Sequence, residues 1–147
     1  MITSVQSDTG FGLSGKGTII TTLDSGITYT HSDFQNENHT TRILYLWDQA
    51  AGGTPLIGFK NGAEYNSSGL NAALRSEYPF QVIPEIDLLV HGTAIAGITA
   101  GNGRADSGKK GVALEAVLTI VKLGEKGRES FARTTELMRG LKYVKKS

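Results

Sequence analysis

In Gly17-Thr18-Ile19-Ile20-Thr21-Thr22-Leu23-Asp24-Ser25-Gly26, apolar and threonine residues run almost unbroken into an acid and a glycine-assisted turn. A strand with one wet face alternates polar and apolar residues. A continuous run marks a strand covered on both sides, as in a parallel sheet flanked by helices. The reading therefore places a buried parallel strand over residues 17–24 and leaves Asp24 at its carboxyl end. In open parallel sheets, that end is where chemistry collects.

Downstream lies Val90-His91-Gly92-Thr93-Ala94-Ile95-Ala96-Gly97-Ile98-Thr99-Ala100-Gly101. Small and branched apolar residues predict a buried helix with His91 on its first turn. The alanines and Gly97 would allow close packing, and Gly101-Asn102-Gly103 would stop the helix with residues that tolerate left-handed dihedrals. A titratable ring at the mouth of an apolar helix calls for a partner, and Asp24 is the candidate. The positive end of the helix dipole would disfavour imidazolium and keep the ring basic. An Asp would fix its tautomer and stabilise the imidazolium formed in a reaction. Taken singly, a turn-capping Asp and a satisfied buried His are the commoner roles.

The remaining elements follow the same alternation. Ile43-Leu44-Tyr45-Leu46-Trp47 reads as a second strand, and Ala116 to Lys122 as a third. Ala51 to Tyr65 reads as loop, and Ser67 or Ser68 would cap a short helix through Asn71 to Arg75. Tyr78 to Leu89 is broken by Pro79 and Pro84. Ser130 to Tyr143 reads as a helix with Leu137, Leu141 and Val144 on its apolar face, and Lys142, Lys145 and Lys146 suit its C-terminal end. Strand and helix in turn imply an α/β fold: a parallel central sheet with helices on both faces.

Composition narrows the function classes. The 147 residues are one domain's worth of chain or part of a larger one, and 39% hydrophobic residues can build a core. A net charge of +1 gives no electrostatic case for nucleic acid or an anionic membrane. The absence of cysteine removes disulfides, a thiolate nucleophile and cysteine-type zinc sites. No run approaches the ~18 apolar residues of a membrane span, and residues 1–8 lack the pattern of a secretion signal. Compartment is left open.

Three motifs compete for attention. Gly10-Phe11-Gly12-Leu13-Ser14-Gly15 matches a dinucleotide-binding fingerprint letter for letter, but it precedes a strand, where that fingerprint follows one. Asn38-His39-Thr40 and Asn66-Ser67-Ser68 are glycosylation sequons by pattern and are read as ordinary loop residues. His31, Asp33 and His39 lack metal-ligand spacing, and Asp33 is expected to bond loop amides. No cofactor and no metal is expected.

The run from Gly15 to Ile27, followed by His31-Ser32-Asp33-Phe34, resembles the catalytic-Asp segment of the subtilisin-like serine proteases, the subtilases. His91-Gly92-Thr93-Ala94-Ile95-Ala96-Gly97-Ile98 resembles their catalytic-His segment, and Gly111 to Ala116 the framework segment after it. Thr41-Arg42-Ile43 through Gln49, the long step from Asp24 to His91, and Phe131 to Arg139 are similar to the clostridial spore-germination members. The resemblance implies the N-terminal half of a catalytic domain, with residues 1–16 as lead-in and 48–86 as an insertion. It implies a serine endopeptidase acting on protein or peptide substrates, with Asp24 orienting His91 as the base.

The family's Gly-Thr-Ser nucleophile segment has no counterpart here, since Ser107, Ser130 and Ser147 stand in other settings. On that reading the chain alone is inactive, and its uncovered half-sheet self-associates. The family's usual glycine before the catalytic His is Val90 here, and its usual proline is Leu114. The alternative from another class is a pseudoprotease that keeps the fold for signalling or scaffolding. A nucleotide-binding domain built on the Gly10–Gly15 loop is a third.

Overall fold

The computed structural model describes residues 12–106, 108–124 and 134–146. Strands β1 (Ile19–Asp24), β2 (Ile43–Asp48), β3 (Ala63–Asn66) and β4 (Val117–Lys122) form one sheet in the order β1-β4-β2-β3. β1 and β2 both run parallel to β4, and Asp24 pairs in register with Lys122. β3 runs antiparallel to β2 at the edge. The sheet is therefore parallel-dominated and mixed. The loop expected up to Tyr65 ends in this edge strand, whose four residues are too few to display a period of two.

Helices cover both faces. On one lie α1 (Ser67–Arg75), the short α2 (Pro79–Val82) and α3 (His91–Ala100), over a core that includes Ile27, Phe34, Ile43, Leu46, Leu118 and Ile120. On the other, α4 (Thr134–Lys146) brings Tyr143 against Trp47 and Val121. The Trp47 ring lies 5.0 Å from Tyr143 and 4.6 Å from Phe59 between centroids. A register shift between Ile43 and Tyr45 lets β2 keep both Ile43 and Leu46 on the α3 face, despite their odd spacing.

Several local expectations are corrected. α1 is capped by Asn66, whose side chain accepts from the Gly69 amide at 2.9 Å, and not by Ser67 or Ser68. α3 is buried on one face only, through Gly92, Ala96 and Ala100, while Ile95 and Ile98 are exposed. Gly97 has open space where a side chain would go; the close approach is at Gly92, where a Cβ would strike the Gly26 carbonyl oxygen. Gly101 has ordinary extended dihedrals, and Gly103 takes the positive φ of 76°.

In α4 the buried side is Gly140 and Tyr143, with Leu137 and Leu141 exposed. A Cβ on Gly140 would come 2.7 Å from Leu23, so its absence lets the helix descend onto β1. The part of this expected helix before Thr134 lies outside the described residues, as do Gly10 and Phe11 of the fingerprint-like loop.

Arg42 joins the parts. The residue is 5% exposed, and its guanidinium donates to the carbonyls of Asp33, Ala100 and Ala116. Ala100 ends α3, where carbonyls lack partners within the helix and the dipole favours a cation. One side chain thus ties β2 to the end of α3 and to the approach to β4.

Candidate active site

β1 ends at Asp24 and the chain turns through Ser25 and Gly26, whose φ of 128° favours glycine. Glu85 packs where a Gly26 side chain would stand. α3 begins at His91, above the carboxyl end of β1. Across this junction His91 Nδ1 lies 2.8 Å from Asp24 Oδ1. Asp24 Oδ1 also accepts from its neighbour's amide, Ser25 N, at 2.7 Å. A carboxylate can only accept, so Nδ1 carries the proton and Nε2 is the basic nitrogen.

The hydrogen bond to Asp24, and then its charge, raise the His91 pKa above its usual value. The expected influence of the helix dipole is outweighed by this pairing, because the carboxylate is in direct contact with the ring. The His91 side chain is 66% exposed, so its edge is open to an incoming group.

The other sequence candidates fall elsewhere. Asp33 accepts from Ala105 N at 2.8 Å and so bonds a loop amide, as expected. His31 Nδ1 accepts from Asp33 N, and among the described residues no group of three His, Cys, Asp or Glu side chains is placed to hold a metal. Asn38 spends its side-chain oxygen on Thr40. Ser107, Ser130 and Ser147 lie outside the described residues. No described helix is long and apolar enough to cross a membrane.

Sequence reasoning missed the groups around the pair. Ser25 Oγ donates to Asp87 Oδ1 at 2.8 Å and accepts from Gly92 N at 3.0 Å. Asp87 Oδ2 accepts from Thr93 N at 2.8 Å and from Thr93 Oγ1 at 2.6 Å. Burial pushes the Asp87 carboxyl up, but the bonds from Thr93, Ser25 and the Val90 amide outweigh it, leaving it below its usual value. Behind them Lys122 Nζ donates to Ile86 O at 2.7 Å and stands 3.5 Å from Glu85 Oε1. An acid four residues before His91 was a visible signal, since acids favour helix starts. Glu85 was not visible, because its burial depends on the whole loop folding inwards.

A family model described as the subtilase family matches residues 15–143. The structure of the CspB protease of Clostridium perfringens is similar over 99% of this chain, with 37% sequence identity and a TM-score of 0.85. The chain spans 28% of the length of that protease chain. A comparison with curated protein sequences finds no match.

Proposed function

The chain belongs to the subtilase family, and from that membership we propose that it is part of a serine endopeptidase acting on protein or peptide substrates. The observation that carries this reading is the 2.8 Å contact between His91 Nδ1 and Asp24 Oδ1 at the carboxyl end of β1. Asp24 holds the ring in the tautomer that leaves Nε2 basic. His91 Nε2 takes the proton from a seryl hydroxyl as its oxygen attacks the scissile carbonyl. It returns that proton to the leaving amine, and Asp24 stabilises the imidazolium in between.

In this proposal residues 1–147 are the N-terminal portion of the catalytic domain, with 1–16 as lead-in and 48–86 as an insertion. The nucleophile and the oxyanion donors come from chain outside these residues, so the 147 residues alone hydrolyse nothing. Self-association of the isolated chain belongs to the same reading: β1 is an edge strand among the described residues, and Ile19, Ile95 and Ile98 are exposed.

The test is intact mass of the full protein after incubation with a fluorophosphonate, beside a His91→Ala control. A single adduct that is lost in the control is the expected result. Folded protein without an adduct would overturn the reading in favour of a pseudoprotease.

A further inference from the structure

We propose that Asp87 is a positioning residue for His91, which sets the distance between the His91 ring and Asp24 through Ser25 and the first turn of α3. The inference rests on the catalytic reading of Asp24 and His91 for its importance, though not for its geometry.

The residue in the N-cap place of α3 is Val90, whose side chain has no atom that can accept a hydrogen bond. Two amides of the first turn, Gly92 N and Thr93 N, nevertheless have partners. Thr93 N is met by Asp87 directly. Gly92 N is met by Ser25 Oγ, which is itself oriented by donating to Asp87. The carboxylate of one buried residue therefore does the work of an N-cap from four residues before His91.

It can reach because the chain doubles back. Val90 N donates to Asp87 O at 3.2 Å, and Val90 takes the left-handed dihedrals φ 60° and ψ −2°. This tight turn folds Asp87 under the start of the helix.

The second half of the argument is connectivity. Ser25 follows Asp24 directly, and its backbone amide donates to the same Asp24 Oδ1 that meets His91. Thr93 Oγ1 donates to Asp87 and accepts from Thr28 N at 2.9 Å. The loop after β1 and the first turn of α3 are thus pinned to each other through one buried anion. The His91 ring is largely exposed, so packing does little to hold it. Its place is set by where the backbone of α3 begins.

The His91 titration, followed by NMR on the full protein with isotope-labelled histidines, separates positioning from capping alone. The charged groups that bear on His91 are Asp24 and Asp87. Asp24→Asn sets the scale, as the fall in midpoint when the partner's charge is lost altogether. Asp87→Asn and Ser25→Ala are each expected to lower the midpoint by roughly half that or more. Ser25→Ala removes no charge, so a fall there reports position.

A normal midpoint in both variants, with only a lower melting temperature, would reduce Asp87 to a helix cap and overturn the proposal. A fall in Asp87→Asn with none in Ser25→Ala would assign the effect to charge alone, and would overturn it too. Should Asp87→Asn not fold, Ser25→Ala decides by itself. Because this readout needs no catalysis, its failure is distinct from a failed fluorophosphonate adduct.

Discussion

Lys122, the residue that pairs in register with Asp24, holds its Nζ 3.5 Å from Glu85 Oε1 in a part of the molecule closed to solvent. Glu85 is 1% exposed, accepts from Ile27 N at 3.2 Å, and leaves Oε2 with no partner among the described residues. Burial pushes its carboxyl up to about 7, against the pull of Lys122 and the Ile27 amide and with some help from Asp48 and Asp87. The folded protein therefore holds this proton more tightly than the unfolded chain does. Its contribution to stability is present below about pH 4.5 and is lost as pH rises towards about 7. Denaturant titrations over this range should show that decline, on the order of a few kcal/mol at most, and Glu85→Gln should flatten it. An unchanged slope in Glu85→Gln would exclude Glu85 as the group responsible.

Val90 carries strain next to the candidate base. A β-branched residue at φ 60° is an outlier, and glycine adopts that region freely. Val90→Gly should stabilise the protein by about 1 kcal/mol, the relief of strain exceeding the added freedom of the unfolded chain. A rise in melting temperature of ~2–4 °C would register it. A lower melting temperature would mean that the exposed valine side chain contributes more than its dihedrals cost.

Arg42 satisfies three carbonyls from a buried position. Burial lowers its pKa, with the charges of Asp33 and Glu115 acting in the other direction. Arg42→Ala should cost about 3–5 kcal/mol, because the carbonyls of Ala100 and Ala116 would lose a partner that water cannot replace without opening the fold. Chemical denaturation measures the loss. A cost under about 1 kcal/mol would show that the carbonyls find other donors.

For His91 the sign runs opposite to that of an ordinary carboxylate pair. Its folded value lies above 6.5, because it donates to Asp24 and feels that charge. The pairing therefore stabilises the fold below pH 6.5, and this contribution fades as pH rises through the folded value. On the proposed endopeptidase reading, kcat/KM of the full protein should climb with an acid limb above pH 6.5, since His91 would have to be neutral to act as base. Asp24→Asn should drop kcat by ~10⁴-fold through loss of the productive tautomer. A loss below tenfold would separate Asp24 from the chemistry.

Static light scattering checks the fate of the isolated 147 residues. With β1 at an edge and Ile19 and Ile98 exposed, a mass above that of one chain is expected. A monodisperse monomer would contradict self-association.

The parts of this protein legible from residue order are those where local chemistry and burial coincide. The run into Asp24 marked β1, the apolar block at Ile43 marked β2, and the small-residue stretch after His91 marked α3. Their alternation implied a sheet with helices on both faces, because each strand was apolar on two sides. The pairing of Asp24 with His91 was legible as a possibility from residue type and element ends.

What the tertiary structure alone decided are properties of contact. Leu137 and Leu141 look like a core stripe, but Gly140 and Tyr143 are the side that fits against Leu23 and Trp47. β3 became a strand because the free edge of β2 offered it hydrogen bonds. Asp87, Glu85 and Arg42 are ordinary charged residues on paper. Ser25 for Asp87, Ile27 and Lys122 for Glu85, and Ala100 and Ala116 for Arg42 lie far away in the chain, so only the folded backbone could bring those donors and acceptors within reach and withdraw the water that would otherwise have satisfied them.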